Sequence, residues 1–432
     1  MSRLDRNYLM KAFGGSALVK MVSLGLGFVL TLILARALSP DGYGIYSFAI
    51  AVITIAAIPA QMGIPEVVVR ETSKFFVNEN WSALKRLWRW AIFAVLASSG
   101  LAVAALLACY ILWFYPASPH DNSLLWLGLL LIPFMALASL RGAMLSGIRR
   151  VVIGQFPEFI VRPFILSVLV GISFIWNGST SPQDAMVYHV IAAVIAFIVG
   201  TTTLLKFSPT EIKSAEAYEG NTSLWIKSAI PLALISGMYV VNQQLDILFL
   251  GWLGVAEDVG IYKVISQMGL FVIFGQQMVR GVISTEISRH WAKNDLFGLE
   301  KVVQLSGKIS FGTALLFTII FICFGNPLLS LLFGLEYVGG YKAMVILCLG
   351  QLINASFGPV GNILNMTGYA NSSLVALGFA IVINCFLNVL LIPLWGLEGA
   401  ACATTVSIIV WNLMLWKVVR KSVQVRPTIF KV

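Results

Sequence analysis

Apolar runs of about 20 residues follow one another almost from end to end of the chain, separated by short polar or Pro/Gly-rich connections. A helix of that length rises about 1.5 Å per residue and crosses roughly 30 Å of hydrocarbon. The pattern predicts spans at 12–35, 42–63, 89–112, 122–145, 155–176 and 184–205. Six more follow at 224–249, 260–283, 307–333, 340–364, 372–394 and 397–418. The longest polar interruption, FSPTEIKSAEAYEGNTS at 207–223, falls near the midpoint. It predicts a linker between an N-terminal six-helix bundle (1–206) and a C-terminal bundle with a basic tail (224–432).

The stretch from Leu34 to Gly63 ends one apolar run, turns through Ser39, Pro40, Asp41 and Gly42, and starts another. It recurs. Gly260, Ile261 and Tyr262 repeat Gly44, Ile45 and Tyr46, and Gln277-Met278 repeats Gln61-Met62, both at an offset of 216, half of 432. Two matches at that offset point to a duplicated unit. Six spans return the chain to its starting side, so the second copy enters the membrane as the first does. The halves are then parallel repeats about an axis along the membrane normal. The fold class is an all-α integral membrane protein built as a pair of such bundles.

Two connections carry aromatic and basic residues together: ETSKFFVNENWSALKRLWRW, and HWAKNDLFGLEKVV in the corresponding place of the second half. Both read as amphipathic helices lying in the interface.

Composition agrees with the pattern. Hydrophobic residues make up 59% and charged residues 11% of the chain, against roughly 45–50% and 25% in soluble domains. The N-terminus (Arg3, Arg6, Lys11), the loops after the second, fourth (Arg141, Arg149, Arg150) and eighth spans, and the tail (Lys417, Arg420, Lys421, Arg426, Lys431) are basic. The opposite loops lean acidic, with Asp41, Asp121, Asp184, Glu257, Asp258, Glu336 and Glu398. The positive-inside rule puts both termini in the cytoplasm. A net charge of +10 then reflects a face next to anionic lipid and calls for no nucleic acid. Ala35-Arg36-Ala37 imitates a signal-peptide cleavage site. The apolar stretch ahead of it exceeds the roughly 7–15 residues of a cleaved signal, so an uncleaved first helix is expected.

Charged and amide groups inside the spans are the candidate chemistry. Ser16, Lys20, Ser23, Gly27 and Thr31 share a stripe of the first helix. Lys20 there either snorkels or faces water, a partner or substrate. Glu158 and Arg162 stand at i, i+4, ahead of Pro163, and can pair along one face. Ser236, Tyr239, Gln243 and Asp246 share a face of the seventh span. Asp246 is expected to pair with a base, bind a cation or carry a proton. Gln276, Gln277, Arg280, Gln351, Asn354, Asn362, Asn384 and Asn388 add polar groups, either lining a cavity or joining helices. The five cysteines (Cys109, Cys323, Cys348, Cys385, Cys402) fall inside spans with no CxxC spacing, and His120, His189 and His290 form no metal motif. There is no Walker sequence, hence no sign of ATP-driven pumping, and no cofactor motif. Coupling to a proton or sodium gradient stays open.

ILARALSPDGYGIYSFAIAV followed by AQMGIPEVVVRE, LRGAMLSGIRR closing the fourth span, and DILFLGWLGVAEDVGIYKV resemble the polysaccharide-transport, or O-antigen flippase (Wzx-like), family. That family belongs to the multidrug/oligosaccharidyl-lipid/polysaccharide exporter superfamily. The resemblance implies a non-enzymatic bacterial inner-membrane flippase that turns an undecaprenyl-diphosphate-linked oligosaccharide to the outer leaflet. It implies that membrane lipids surround the protein and that a polysaccharide polymerase and chain-length machinery are its partners. Basic residues would meet the diphosphate and amides the sugar hydroxyls: Lys20, Arg36, Arg162, Arg280, Gln243 and Asp246 are the binding candidates, Asp246 and Glu158 the coupling candidates. Two rivals stand beside this reading. A drug or metabolite exporter of the same fold would want an acidic cavity, and a membrane polymerase or glycosyltransferase would want a large outer loop or paired carboxylates.

Overall fold

The computed structural model describes residues 3–109, 123–216, 222–425 and 427, with side chains from Gly14 onward apart from Ala17, Cys109, Lys213, Gly281 and Val282. Ser118, His120 and Asp121 of the expected outer loop lie outside the described residues. So do Arg426 and Lys431 of the tail, the middle of the linker (217–221), and the side chains of Arg3, Arg6, Lys11 and Cys109.

The described residues contain helices and no strands, which is what hydrocarbon demands: a helix satisfies its backbone N–H and C=O groups within itself. Nine helices among them are long and apolar enough to cross a membrane, ten with the bent pair Ala256–Val272 and Phe274–Arg280. Two of these hold two crossings each, because a single non-helical residue breaks them, Ser39 (φ 62°) in one and Gly396 (φ 53°) in the other. The crossings are α1 (3–38), α2 (40–61), α3 (Trp81–Cys109), α4 (Ser123–Gly147), α5 (Val151–Asn177) and α6 (Pro182–Phe207). After the linker come α7 (Ser223–Leu253), α8 (256–292, bent at 273), α9 (Leu296–Leu332), α10 (Tyr341–Ser356), α11 (370–395) and α12 (397–418). Twelve crossings result, at the expected places. The turn expected over four residues at 39–42 is confined to Ser39, and Pro40 opens α2, where its missing N–H costs nothing.

The two basic connections differ from the sequence-based expectation. Residues 64–77 form a separate amphipathic helix after Gly63 (φ 66°) that holds the ETSKFFV part of the first stretch, while Trp81 to Arg89 are the first turns of α3 itself. Likewise α8 runs to Ala292 and α9 begins at Leu296. Packing explains it. Trp88 is buried and donates from Nε1 to Thr72 Oγ1 at 3.0 Å. Arg86 lies 4.9 Å over the Trp225 ring, and Lys85 donates to Ala215 O at 2.6 Å. These aromatic and basic groups are used within the protein.

Packing divides the chain into two units. The first comprises Met1–Ala37 and Ala49–Gln244, the second Leu38–Phe48 and Leu245–Val432. In the first, small residues let helices approach. Gly154 of α5 leaves room where a Cβ would sit 3.0 Å from Gly142 O of α4, and Ser98 of α3 donates to Ala60 O at 2.7 Å. The second unit has an apolar cluster at one end, where Ile287, Leu299, Val303, Ile363, Leu364 and Val419 are buried together.

The second unit also explains the sequence repeat. A Cβ on Gly44 would overlap Ala256 O, and a Cβ on Gly260 would overlap Pro40 O, while each Cβ would come within 3.0 Å of the other glycine's backbone N. Pro40 and Gly44 stand to Ala256 and Gly260 at the offset of 216. The repeated residues therefore pack reciprocally on each other, backbone to backbone, a contact that only glycine admits.

Candidate functional site

Asp246, half-buried on α7, is the centre of one polar cluster, wholly inside the second unit. Tyr262 Oη of α8 donates to its Oδ2 at 2.9 Å and Thr404 Oγ1 of α12 at 2.6 Å. Asn388 Nδ2 and Asn384 Nδ2 of α11 donate to its Oδ1 at 3.1 and 3.3 Å. Four donors fill the acceptor capacity of an ionised carboxylate. Asn388 Nδ2 also reaches Asn384 Oδ1 at 2.9 Å, while Asn388 Oδ1 is buried with no hydrogen-bond partner. The surroundings are closed: Tyr262, Asn384 and Asn388 are 2%, 5% and 0% exposed.

Local structure produces this arrangement. Asn384 and Asn388 are one helical turn apart and so share a face of α11. Gly396, in a backbone conformation that disfavours any Cβ, turns the chain back so that α12 carries Thr404 alongside. All four partners are uncharged, and no lysine or arginine of the second unit lies within 4 Å of Asp246 among the described residues. Of the outcomes expected for Asp246, an ion pair inside its unit is not the one the fold provides.

A second cluster lies inside the first unit. Arg162 Nη1 of α5 meets Glu158 Oε2 at 3.2 Å, the expected i, i+4 pair. Arg162 Nη2 is 2.7 Å from His189 Nε2 of α6, which must then accept, leaving the ring neutral. Arg141 Nη2 of α4 is 3.6 Å from Glu158 Oε1, and its Nη1 donates to Phe197 O at 3.1 Å. Arg141 is only 3% exposed, and its Nε and Nη2 have no hydrogen-bond acceptor. Gly200 makes the room, since a Cβ there would overlap the guanidinium. One π turn, Pro157–Val161, carries Glu158 within α5, after its first six residues, the kind of widened turn that often marks functional sites.

The remaining predicted residues are placed differently. Lys20, Arg36, Arg280 and Gln243 are exposed. On the Lys20 stripe Ser16 donates to Gln155 Oε1 at 3.1 Å and Thr31 is buried, so part of the stripe packs helices. Ser236 Oγ returns to its own backbone at Leu232 O (2.8 Å). Sequence reasoning passed over Thr404, placed Arg141 with the loop charges and set His189 aside as isolated. Arg141 lies within the expected fourth span, so its position alone marked it as intramembrane. Thr404 carries no such mark. Among the described residues no three of His, Cys, Asp and Glu converge as a metal site.

Twelve crossings define a multi-pass membrane protein. Its fold is similar to that of a multidrug resistance MATE family transporter of the MOP superfamily, solved in an inward-facing conformation (TM-score 0.77, 14% identity, 94% of this chain and 98% of that one). It is also similar to that of the lipid II flippase MurJ, solved in an inward closed conformation (TM-score 0.73, 14% identity, 93% of this chain and 87% of that one). The chain belongs to the polysaccharide biosynthesis protein family, which residues 9–272 match. Residues 231–390 match the MatE family as well. It is similar to the probable low-salt glycan biosynthesis flippase Agl15 of Haloferax volcanii (24% identity over 240 residues, 55% of this chain and 49% of that protein). It is also similar to the uncharacterized membrane protein MJ1068 of Methanocaldococcus jannaschii (26% over 272 residues, 60% of this chain and 51% of that one). The matched stretches thus span about half the length of these relatives.

Proposed function

We propose that the protein is a flippase that carries an undecaprenyl-diphosphate-linked oligosaccharide, such as an O-antigen or other surface-polysaccharide repeat unit, across a bacterial inner membrane, with both termini in the cytoplasm. The family match over residues 9–272 is the observation that carries this reading. The physical task fits it. A diphosphate and its sugars lose hydration in hydrocarbon while a polyprenyl tail does not, so the protein supplies a polar path for the head group only. Exposed Lys20, Arg36 and Arg280 are the first contacts for the diphosphate and Gln243 a contact for sugar hydroxyls. Arg162 joins them only by leaving Glu158 and His189. A polymerase and chain-length machinery would take the product.

Asp246 is the coupling group in this reading, in preference to Glu158. Glu158 is neutralised by two arginines. Among the described residues the hydrogen-bond partners of Asp246 are hydroxyls and amides, which supports its binding a proton or a sodium ion from the gradient. The test is deletion of the gene. Lipid-linked repeat units should be assembled, stay on the cytoplasmic leaflet, and surface polysaccharide should be lost. Failure to assemble the unit at all would point to an enzyme and reject the flippase. The MatE match over 231–390 favours a second reading, a metabolite or drug exporter on the same fold. That reading gains if deletion leaves polysaccharide intact and raises sensitivity to cationic compounds.

A further inference from the structure

At one membrane edge of the second unit, Asn371 and Ser372 open α11 and Lys417 closes α12. A groove of about 440 Å³ lies between these ends. Asn371, Ser372, Lys417 and Val418 line it at the helix ends, and Val375, Ala376 and Met414 form its floor, one turn further along each helix. The floor continues outward. Val375, Phe379, Val382 and Phe386, at steps of 4, 3 and 4, are 57%, 56%, 66% and 68% exposed, an apolar stripe of the kind a membrane-spanning helix turns to hydrocarbon. Lys417 makes no ion pair among the described residues, whereas Arg420, one turn on, is engaged 4.9 Å over the Trp416 ring.

We propose that this groove is a binding site for one anionic phospholipid of the cytoplasmic leaflet. The headgroup phosphate meets Lys417, with Asn371 and Ser372 donating to it, and an acyl chain lies along Val375, Ala376 and Met414 toward Phe379. The polar groups all stand at the helix ends and the floor is wholly apolar, which follows the polarity profile of such a lipid, and a basic pocket between helices at this edge attracts acidic headgroups. The assignment of the edge to the cytoplasm rests on the orientation proposed above.

The test is native mass spectrometry of the purified full chain in detergent with added phosphatidylglycerol or phosphatidylcholine. The wild type should retain phosphatidylglycerol in preference to phosphatidylcholine. Lys417→Gln and the groove-filling Val375→Trp should each reduce that retention at least five-fold at unchanged melting temperature, while Lys421→Gln should not. Inorganic phosphate should not compete. Equal retention of the two lipids, an equal loss in Lys421→Gln, or displacement by phosphate alone would each overturn the site. The readout needs no transport, so a chain that binds the lipid yet moves no glycan would reject the proposed function and leave the groove standing.

Discussion

Asp246 illustrates how much a carboxylate's role depends on the charge of its partners. Held by Tyr262, Thr404, Asn384 and Asn388, it has only uncharged hydrogen-bond partners among the described residues of its unit. Asp246→Asn preserves size and most hydrogen bonds but removes the charge. Abundance and melting temperature should stay near wild type while surface polysaccharide falls at least ten-fold. Unimpaired polysaccharide at normal abundance would strip Asp246 of the coupling role. Asp246→Ala should instead unfold more easily, since each buried donor left without an acceptor costs about 1–3 kcal/mol. Arg141 depends on its neighbour in another way. Gly200→Ala intrudes on the guanidinium and should cost about 1–3 kcal/mol, the usual range for overpacking. It is measured as a lower melting temperature in detergent. Outside the membrane, Asp295 caps α9, with Oδ1 accepting from Gly298 N at 2.8 Å and Oδ2 2.8 Å from His290 Nδ1. The Gly298 amide, and after it the His290 bond, hold its carboxyl below the usual carboxylate range. A depressed carboxylate stabilises the fold above its unfolded value of about 3.9 and loses that contribution as pH falls through the folded value. The melting difference between wild type and Asp295→Ala should therefore be present at neutral pH and disappear in acid below that range.

Among the elements, the helix breaks do the positioning. One residue in a left-handed backbone conformation, Ser39 or Gly396, turns each of two long helices into two crossings. The π turn at Pro157–Val161 inside α5 carries Glu158, which is within reach of both arginines. The reciprocal contact of Gly44 and Gly260 joins the start of α2 to the start of α8. Either glycine replaced by leucine should lower the melting temperature by pushing the backbones apart, at about 1–3 kcal/mol. Because both substitutions disrupt one contact, the double variant should cost clearly less than the sum. Strict additivity would show that the two glycines do not share it.

At the scale of the molecule, orientation is the property that the charge pattern sets. Reporter tags at residue 215 and at the C-terminus should read cytoplasm, and a tag near Ser118 the outer side. A midpoint tag outside would break both the orientation and the even number of spans in the first half. The twelve crossings, their order and the duplication were determined by the sequence alone, because hydrophobic length and Pro/Gly breaks are local properties and the repeat is written in residue identity. The Glu158–Arg162 pair was legible for the same reason, four residues being one helical turn. Which residues gather around Asp246, by contrast, only the tertiary structure decided. Tyr262, Asn384, Asn388 and Thr404 come from three helices up to 158 residues away, and nothing local in a threonine at 404 says that a glycine break eight residues earlier will turn it toward a carboxylate. The same holds for Arg141 and His189, whose burial depends on Gly200 and on α5 lying between them. Long-range packing, which periodicity cannot encode, chose the site.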